Sequence, residues 1–172
     1  MENSNLPNYL IATIVLHKPG VLYEVANMFR RRGFNINSIT VGRTEQPGLA
    51  RMTIAVTGTE HTVEQIIKQL NKLINVIKVS ILEPQNTVSR GLALIKVHTA
   101  DSKARSDMVQ YANIFRGQVI DVAADSMTVE ITGDSDKIDA FVNLSRTYGV
   151  KEVARTGVTA LGRGGKVIRE YM

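Results

Sequence analysis

The sequence predicts an α+β protein made of two tandem ferredoxin-like units, each with the element order βαββαβ. Three observations support this fold class. The length, 172 residues, suits one domain or two small ones. Apolar runs of strand length are separated by stripes with helical spacing. The same order of strand and helix patterns then occurs twice, on either side of a short polar segment that contains a proline.

The first strand and helix of the N-terminal half are clearly marked. A continuous apolar run over 9–16 predicts a strand, and Lys18-Pro19-Gly20 breaks it. A helix with one buried face is then predicted from apolar residues at helical spacing: Val21, Leu22, Val25, Met28 and Phe29. Gly33 is suited to end this helix.

The rest of the N-terminal half completes the unit. A second strand is predicted over 36–43, and a third shows alternation, with Met52, Ile54 and Val56 opposite Arg51, Thr53 and Thr57. Thr62 and Gln65 fit a capping box at the start of a second helix. Its predicted buried face is Val63, Ile66, Ile67, Leu70 and Ile74. A last strand is expected over 76–82.

The C-terminal half repeats this order with shorter strands. A strand over 92–98 leads to a helix capped by Asp101 or Ser102, and strands follow over 119–122 and around Met127, Val129 and Ile131. Asp134 or Ser135 caps the last helix, and the final strand covers 150–155. The predicted divisions are an N-terminal extension at 1–8, a first domain at 9–83, a linker at 84–88, a second domain at 89–158 and an extended tail at 159–172.

Composition excludes several classes of protein. The chain has no cysteine, which removes disulfides, thiolate nucleophiles and Cys-based metal sites. We find no apolar run of bilayer length and no signal peptide, so a cytoplasmic protein is expected. The formal net charge of +5 raises nucleic acid as a partner. Only 5% of the residues are aromatic, however, which argues against a base-stacking surface.

No group of residues with catalytic or metal-binding spacing is found. His17, His61 and His98 are isolated from one another and from other ligand-type residues, so no metal site is expected. The carboxylates lie mainly at predicted helix starts, where the helix dipole accounts for them. The sequence therefore favours a binding or regulatory protein over an enzyme.

The first strand–helix turn is the candidate binding site. His17 and Pro19-Gly20 deliver the chain to a helix N-terminus, where free N–H groups favour an anion such as a carboxylate. Asn35 offers a donor and an acceptor, and an aliphatic side chain could rest on three apolar residues: Val21, Leu22 and Ile36. The same residues also suit an ordinary loop, with Asn35 near a C-cap. The sequence alone leaves both interpretations open.

Longer motifs carry a family resemblance. HKPGVLYEVANMFRRRGFNINSITVG resembles an ACT domain, and with PGLARMTI it is similar to the small, regulatory subunit of acetolactate synthase. IFRGQVIDV at 114–122 and EVARTGVTALGRG at 152–164 resemble the C-terminal domain of that subunit. The resemblance implies an N-terminal ACT domain and a C-terminal ACT-like domain.

The resemblance also implies a function. Such a subunit is not catalytic and binds no cofactor itself. It activates a large catalytic subunit, which uses thiamine diphosphate, Mg²⁺ and FAD, and makes it sensitive to valine in branched-chain amino acid biosynthesis. ACT domains of the family form a homodimer with the effector between them, and Gly20, Asn35 and Ile36 match effector-site positions. His17 departs from the family, in which asparagine is frequent there.

Two other classes of function remain as alternatives. The chain could be a free-standing ACT-type amino-acid sensor that acts on another enzyme, which would leave the second half unexplained. It could also be an RNA-binding protein, because RNA-recognition motifs share the βαββαβ order. Neither a nucleic acid nor a membrane is expected as a partner.

Overall fold

The computed structural model describes residues 6–165, 167 and 168, which form two compact units. The first unit extends to Val88 and takes in the chain again from Val158 onward. The second unit is Ser89–Gly157. The C-terminal segment therefore belongs with the first unit, although it follows the second along the chain.

The first unit has the predicted βαββαβ order. Its sheet is antiparallel, with strand order β2-β3-β1-β4, so β2 and β4 are the edge strands. The elements are β1 Asn8–Leu16, α1 Val21–Arg31, β2 Ser38–Arg43, β3 Leu49–Thr57, α2 Glu60–Leu70 and β4 Val76–Leu82.

One face of this sheet packs against the two helices and forms the core. The predicted stripe of α1 is buried at Val21, Val25, Met28 and Phe29, whereas the assignment of Leu22 to it was wrong, because Leu22 is 47% exposed. The alternation on β3 is confirmed, because Met52, Ile54 and Val56 lie in the same core. Apolar periodicity thus identified the buried side of both elements.

The second helix differs from the prediction at both ends. Thr59, not Thr62, is the N-cap, and its side chain accepts a hydrogen bond from the backbone N–H of Thr62. The helix ends at Leu70, and Ile74 is 94% exposed, so its assignment to the buried face was wrong. Asn71 closes the helix by donating from its side chain to the Ile67 carbonyl at 3.0 Å.

The segment predicted as a linker contains a short 3₁₀ turn, Pro84–Asn86, followed by the start of β5. This strand is longer than expected because it begins at Thr87 rather than at Leu92. The Thr87 hydroxyl donates to the Glu83 carbonyl at 2.6 Å across the turn.

The second unit repeats the order of the first. The strand order β6-β7-β5-β8 corresponds position by position to that of the first sheet. Its core is formed by β5, β7 and the two helices. The elements are β5 Thr87–His98, α3 Ser102–Ile114, β6 Gln118–Val122, β7 Ser126–Gly133, α4 Ser135–Ser145 and β8 Val150–Arg155. Both ferredoxin-like units predicted from the sequence are confirmed.

The segment after the second unit lies on the helix-free face of the first sheet. Strand β9, Thr159–Gly162, places Ala160 against Ala12 and Leu82 in a small apolar cluster. The Thr40 hydroxyl donates to the Val158 carbonyl at 2.8 Å, and Arg51 Nη2 donates to the Ala160 carbonyl at 2.7 Å. The predicted tail thus begins as a strand; Lys166 and residues 169–172 lie outside the described residues.

Candidate functional site

The turn between β1 and α1 is held by backbone hydrogen bonds. His17 N–H donates to the Gly48 carbonyl at 2.8 Å, and Lys18 N–H donates to the Leu16 carbonyl at 3.0 Å. The chain then enters α1 through Gly20, whose φ of 89° lies in the left-handed region. Glycine adopts this conformation without steric cost, which explains its place in the turn.

The N-terminus of α1 differs from those of the other three helices. Thr59, Asp101 and Asp134 each cap their helix with a side-chain oxygen that accepts a backbone N–H. Gly20 has no side chain to do this, and no side-chain cap is present. Val21 N–H donates to the Lys18 carbonyl at 3.5 Å, so the amides of Leu22 and Tyr23 are the ones that a side-chain cap would reach, and their uncapped state favours an anion.

Two further observations describe the space at this helix start. A Cβ atom placed on Gly20 would meet nothing within 4 Å. Glu24, the acidic residue of the first turn, accepts hydrogen bonds at 2.9 Å from Asn75 Nδ2 on both carboxylate oxygens. The carboxylate of Glu24 is thus held by Asn75 and not by the first-turn amides.

The apolar residues predicted for this site are divided between core and surface. Val21 is only 3% exposed and belongs to the core, whereas Leu22 is 47% exposed. Ile36 is half-buried and packs against the core from its edge. Pro19 and the His17 side chain are exposed. Leu22 is therefore the apolar side chain of the turn that is open to a ligand.

Asn35 lies at the other end of α1. The helix ends with hydrogen bonds from Gly33 N–H to the Arg30 carbonyl and from Phe34 N–H to the Phe29 carbonyl, at 3.2 and 3.0 Å. An 11-residue helix is about 16 Å long. Within one chain, the structure therefore separates Asn35 and Ile36 from the Gly20 turn by roughly the length of α1.

A cavity that the sequence did not reveal lies elsewhere in the first unit. It has a volume of about 650 Å³, and none of its lining residues belongs to the predicted site. Arg51 lines it, and the alternation on β3 had placed that side chain opposite the core. This face is covered by Leu161, Gly162, Gly164, Val167 and Ile168, which lie in a part of the sequence without a periodic apolar pattern.

No candidate metal centre is present in the described part of the chain. No group of three or more His, Asp or Glu side chains with metal-binding geometry is present there. The three histidines are exposed and far apart in the sequence. Among the described residues, no helix has the length and apolar content that crossing a bilayer requires.

Comparison with known proteins agrees with this architecture. A family model described as the AHAS small subunit-like ACT domain matches residues 11–78, and one described as the small subunit of acetolactate synthase matches residues 90–164. The chain belongs to the acetolactate synthase small-subunit family. The first match lies within the first unit, and the second covers the second unit and continues into the C-terminal segment that belongs with the first.

Individual relatives of the acetolactate synthase small-subunit family match along nearly the whole chain. A probable acetolactate synthase small subunit from Methanothermobacter thermautotrophicus is 57% identical over 160 residues, which is 93% of this chain and 95% of that protein. The acetolactate synthase small subunit of Mycolicibacterium smegmatis is 46% identical over 94% of this chain and 95% of its own length. The crystal structure of the Thermotoga maritima small subunit has a TM-score of 0.86 and 45% identity, covering 94% of this chain and 100% of that one.

Membership of the acetolactate synthase small-subunit family places this chain in branched-chain amino acid biosynthesis as a regulatory subunit. A small subunit also implies a large catalytic partner.

Proposed function

We propose that this chain activates the large subunit of acetolactate synthase and confers valine feedback inhibition on it. The observation that carries the proposal is the uncapped start of α1 at Gly20. A valine carboxylate there would accept hydrogen bonds from the first-turn amides. The neighbouring Leu22 side chain is exposed and would contact the isopropyl group.

The proposed effector site needs two copies of the chain. One valine molecule cannot contact Gly20 and Asn35 of the same chain, since an 11-residue helix, about 16 Å long, lies between them. A homodimer with a two-fold axis can combine the two groups, because residue i of one copy then faces residue j of the other.

Edge strand β2 supplies a suitable surface for this homodimer. Its start lies near Asn35, and its end leads to the turn where Gly48 accepts the hydrogen bond from His17. Antiparallel pairing of two β2 strands would bring the Asn35 end of one copy to the His17–Gly20 end of the other. Val41 on this strand is 45% exposed and would be covered by such pairing.

An RNA-binding function has little support in the structure. On the helix-free face, the central strands carry Ala12, Ile14, Arg51 and Thr53 in place of stacking aromatic side chains. Strand β9 and the residues that follow also cover part of this face. A free-standing sensor is disfavoured because the second unit matches the small-subunit family model.

A pair of variants at Gly20 tests the proposal. Gly20→Asp places a negative charge within about 4 Å of the bound carboxylate, which weakens valine inhibition by roughly 5- to 1000-fold. Gly20→Asn is the matched control, since it has the same size and the same strain at φ 89° but no charge. The measurement is acetolactate formation by the large subunit with each variant over a valine titration.

The expected result is that both variants still activate the large subunit and that Gly20→Asp alone loses most of its valine response. A melting curve of each variant controls for folding. Equal valine sensitivity of Gly20→Asp and Gly20→Asn would place the effector elsewhere. Wild-type chain that leaves the rate of the large subunit unchanged at saturating ratio would contradict the proposed function itself.

A further inference from the structure

The cavity in the first unit lies on the helix-free face of its sheet. Its volume, about 650 Å³, is within the range of small-molecule pockets. Its floor is formed by strands β1, β3 and β4, and its roof by the end of β9 and the described residues that follow it. The residues that line it include Ile14, Arg51, Ser80, Leu161, Gly162, Gly164 and Ile168.

Arg51 is a half-buried cation in this cavity with few partners. Nη2 donates to the Ala160 carbonyl, while Nε is buried without a hydrogen-bond partner. Among the described residues, no carboxylate lies within 4 Å of the Arg51 guanidinium. Burial lowers the pKa of Arg51, which shows that the surroundings disfavour its charge. An anionic ligand would remove that penalty.

The neighbours of Arg51 leave room for such a ligand. On the sheet, Arg51 lies opposite Gly42 of β2 and Ile14 of β1. Gly42 has no side chain to cover the guanidinium from its side. Two acids, Glu45 and Glu83, also line the cavity, and Glu83 accepts a hydrogen bond from Asn86 Nδ2 at 2.7 Å. The Glu83 carboxylate is thus held by Asn86.

The remaining walls indicate an organic anion. Ile14 and Leu82 form apolar parts of the floor, and Leu161, Val167 and Ile168 form apolar parts of the roof. A ligand with an apolar portion would remove this surface from water, at about 25 cal/mol per Å². An inorganic anion such as sulfate would leave it uncovered.

We propose that this cavity binds a small organic carboxylate, with its carboxylate at Arg51 and its apolar portion between Ile14 and the roof. The ligand would contact both the sheet and the roof residues Leu161, Gly162, Gly164 and Ile168, so it would hold these residues on the sheet. The site shares no residue with the valine site proposed at Gly20, and it does not depend on that proposal.

Nuclear magnetic resonance of the ¹⁵N-labelled full chain tests this site, with 3-methylbutanoate as the probe. Saturable shifts are expected at the roof amides of Gly162 and Gly164. The uncharged isostere 3-methylbutanamide should bind about 10- to 100-fold more weakly, since it lacks the charge that Arg51 recognises. Sulfate should also bind more weakly, because it has no apolar portion.

Two variants and two controls locate the probe. Arg51→Gln keeps a donor for the Ala160 carbonyl but removes the charge, and should weaken binding of the probe by about 10-fold or more. Ser80→Phe should also weaken it by filling the cavity without changing Arg51. Arg30→Gln, at an exposed arginine that bonds Asn27, and Gly20→Asp should leave binding at the roof unchanged.

Three results would overturn the proposal. The first is the absence of saturable shifts at Gly162 and Gly164 up to about 50 mM probe. At that concentration, a site with a dissociation constant of about 1 mM would be nearly fully occupied. The second is unchanged affinity in both Arg51→Gln and Ser80→Phe. The third is binding of sulfate as tight as that of 3-methylbutanoate, which would indicate a site for inorganic anions.

Discussion

The two units have the same topology, but their first helices begin in different ways. In the second unit, Asp101 caps α3, and its carboxylate accepts the Ala104 N–H at 2.7 Å. In the first unit, Gly20 occupies this position in α1 and provides no cap. At the start of its first helix, the second unit thus has a carboxylate of its own. In the first unit, the same position is open to the carboxylate of a ligand.

This difference bears on the number of effector sites. A repeated fold would by itself suggest one amino-acid site in each unit. Because Asp101 already satisfies an amide of α3 and carries a negative charge, a ligand carboxylate there would meet repulsion. The comparison therefore supports one site of this kind per chain, at Gly20.

The helix-free faces of the two sheets also differ. In the first unit, Ala12 and Leu82 make the face apolar, and the segment from Val158 covers it. In the second unit, the corresponding face carries Lys96 and Glu152, whose charged atoms lie 3.7 Å apart. An apolar face is stabilised by burial, whereas a charged face is stable in water.

The largest expected effect concerns the edge strands. Val41 on β2 and Val122 on β6 occupy equivalent edge positions. Val41 pairs with Met52 and is 45% exposed, and Val122 pairs with Met127 and is 56% exposed. If β2 forms the homodimer, Val41→Glu buries two unpaired charges at the two-fold axis. The dimer dissociation constant should then rise by about 100-fold or more. Val122→Glu is the matched control and should leave it unchanged.

Analytical ultracentrifugation of the full-length variants measures this difference. Valine inhibition of the reconstituted enzyme should be lost together with the dimer in Val41→Glu, because the proposed site uses groups from two copies. A Val41→Glu protein that remains dimeric, or that is monomeric and still fully sensitive to valine, would contradict the shared site.

The sequence predicted the elements of both units because their apolar residues follow helix or strand periods. It failed where local chemistry permitted two answers. Thr59 and Thr62 are both acceptable N-caps. Strand β3 ends at Thr57, and the helix begins directly after Thr59. Ile74 continued the helical spacing beyond the point where Asn71 ends the helix.

The sequence singled out the residues of the candidate site but did not predict how they are arranged in space. The sequence placed Gly20 at the helix start, but its left-handed φ of 89° is known only from the structure. The distance from Gly20 to Asn35 follows from the length of α1, which the periodicity had already indicated. The packing of the C-terminal segment on the first sheet could not be predicted, since residues 157–165 are rich in glycine and have no apolar period.

A smaller effect is expected at the turn between α3 and β6. A Cβ on Gly117 would lie 2.2 Å from Ile131 Cδ1 and 2.7 Å from the Glu130 carbonyl oxygen. The isoleucine side chain can move, but the strand carbonyl is held in the sheet. Gly117→Ala should therefore lower the free energy of unfolding by about 3 kcal/mol. Urea unfolding followed by circular dichroism measures it.

The matched control for Gly117→Ala is Gly33→Ala at the equivalent turn of the first unit. A Cβ there meets nothing within 4 Å, so the left-handed φ of 69° is the main cost, about 1 kcal/mol. Amide hydrogen exchange should show lost protection in the second unit for Gly117→Ala and in the first for Gly33→Ala. Equal losses of stability in Gly117→Ala and Gly33→Ala would show that strands β6 and β7 shift to accommodate the added methyl group.

The smallest effect concerns the residues that end α1 and α3. Both helices end with the same pair of hydrogen bonds. In α3, Gly117 N–H donates to the Ala112 carbonyl at 2.7 Å, and Arg116 N–H donates to the Asn113 carbonyl at 3.0 Å. The left-handed residue is Gly33 in the first unit and Arg116, with φ of 51°, in the second. An arginine is strained in that conformation by about 1–2 kcal/mol, whereas glycine is not.

Arg116→Gly should therefore stabilise the second unit, although the greater freedom of glycine in the unfolded chain offsets part of the gain. The net increase should be about 0.5 kcal/mol, or roughly 2–4 °C in the melting temperature of a domain of this size. The reciprocal change, Gly33→Arg, should lower the stability of the first unit by about 1 kcal/mol. Differential scanning calorimetry of both variants measures the two shifts. A lower melting temperature for Arg116→Gly would mean that the exposed arginine side chain contributes more than its backbone strain costs, and the two helix ends would then not be equivalent.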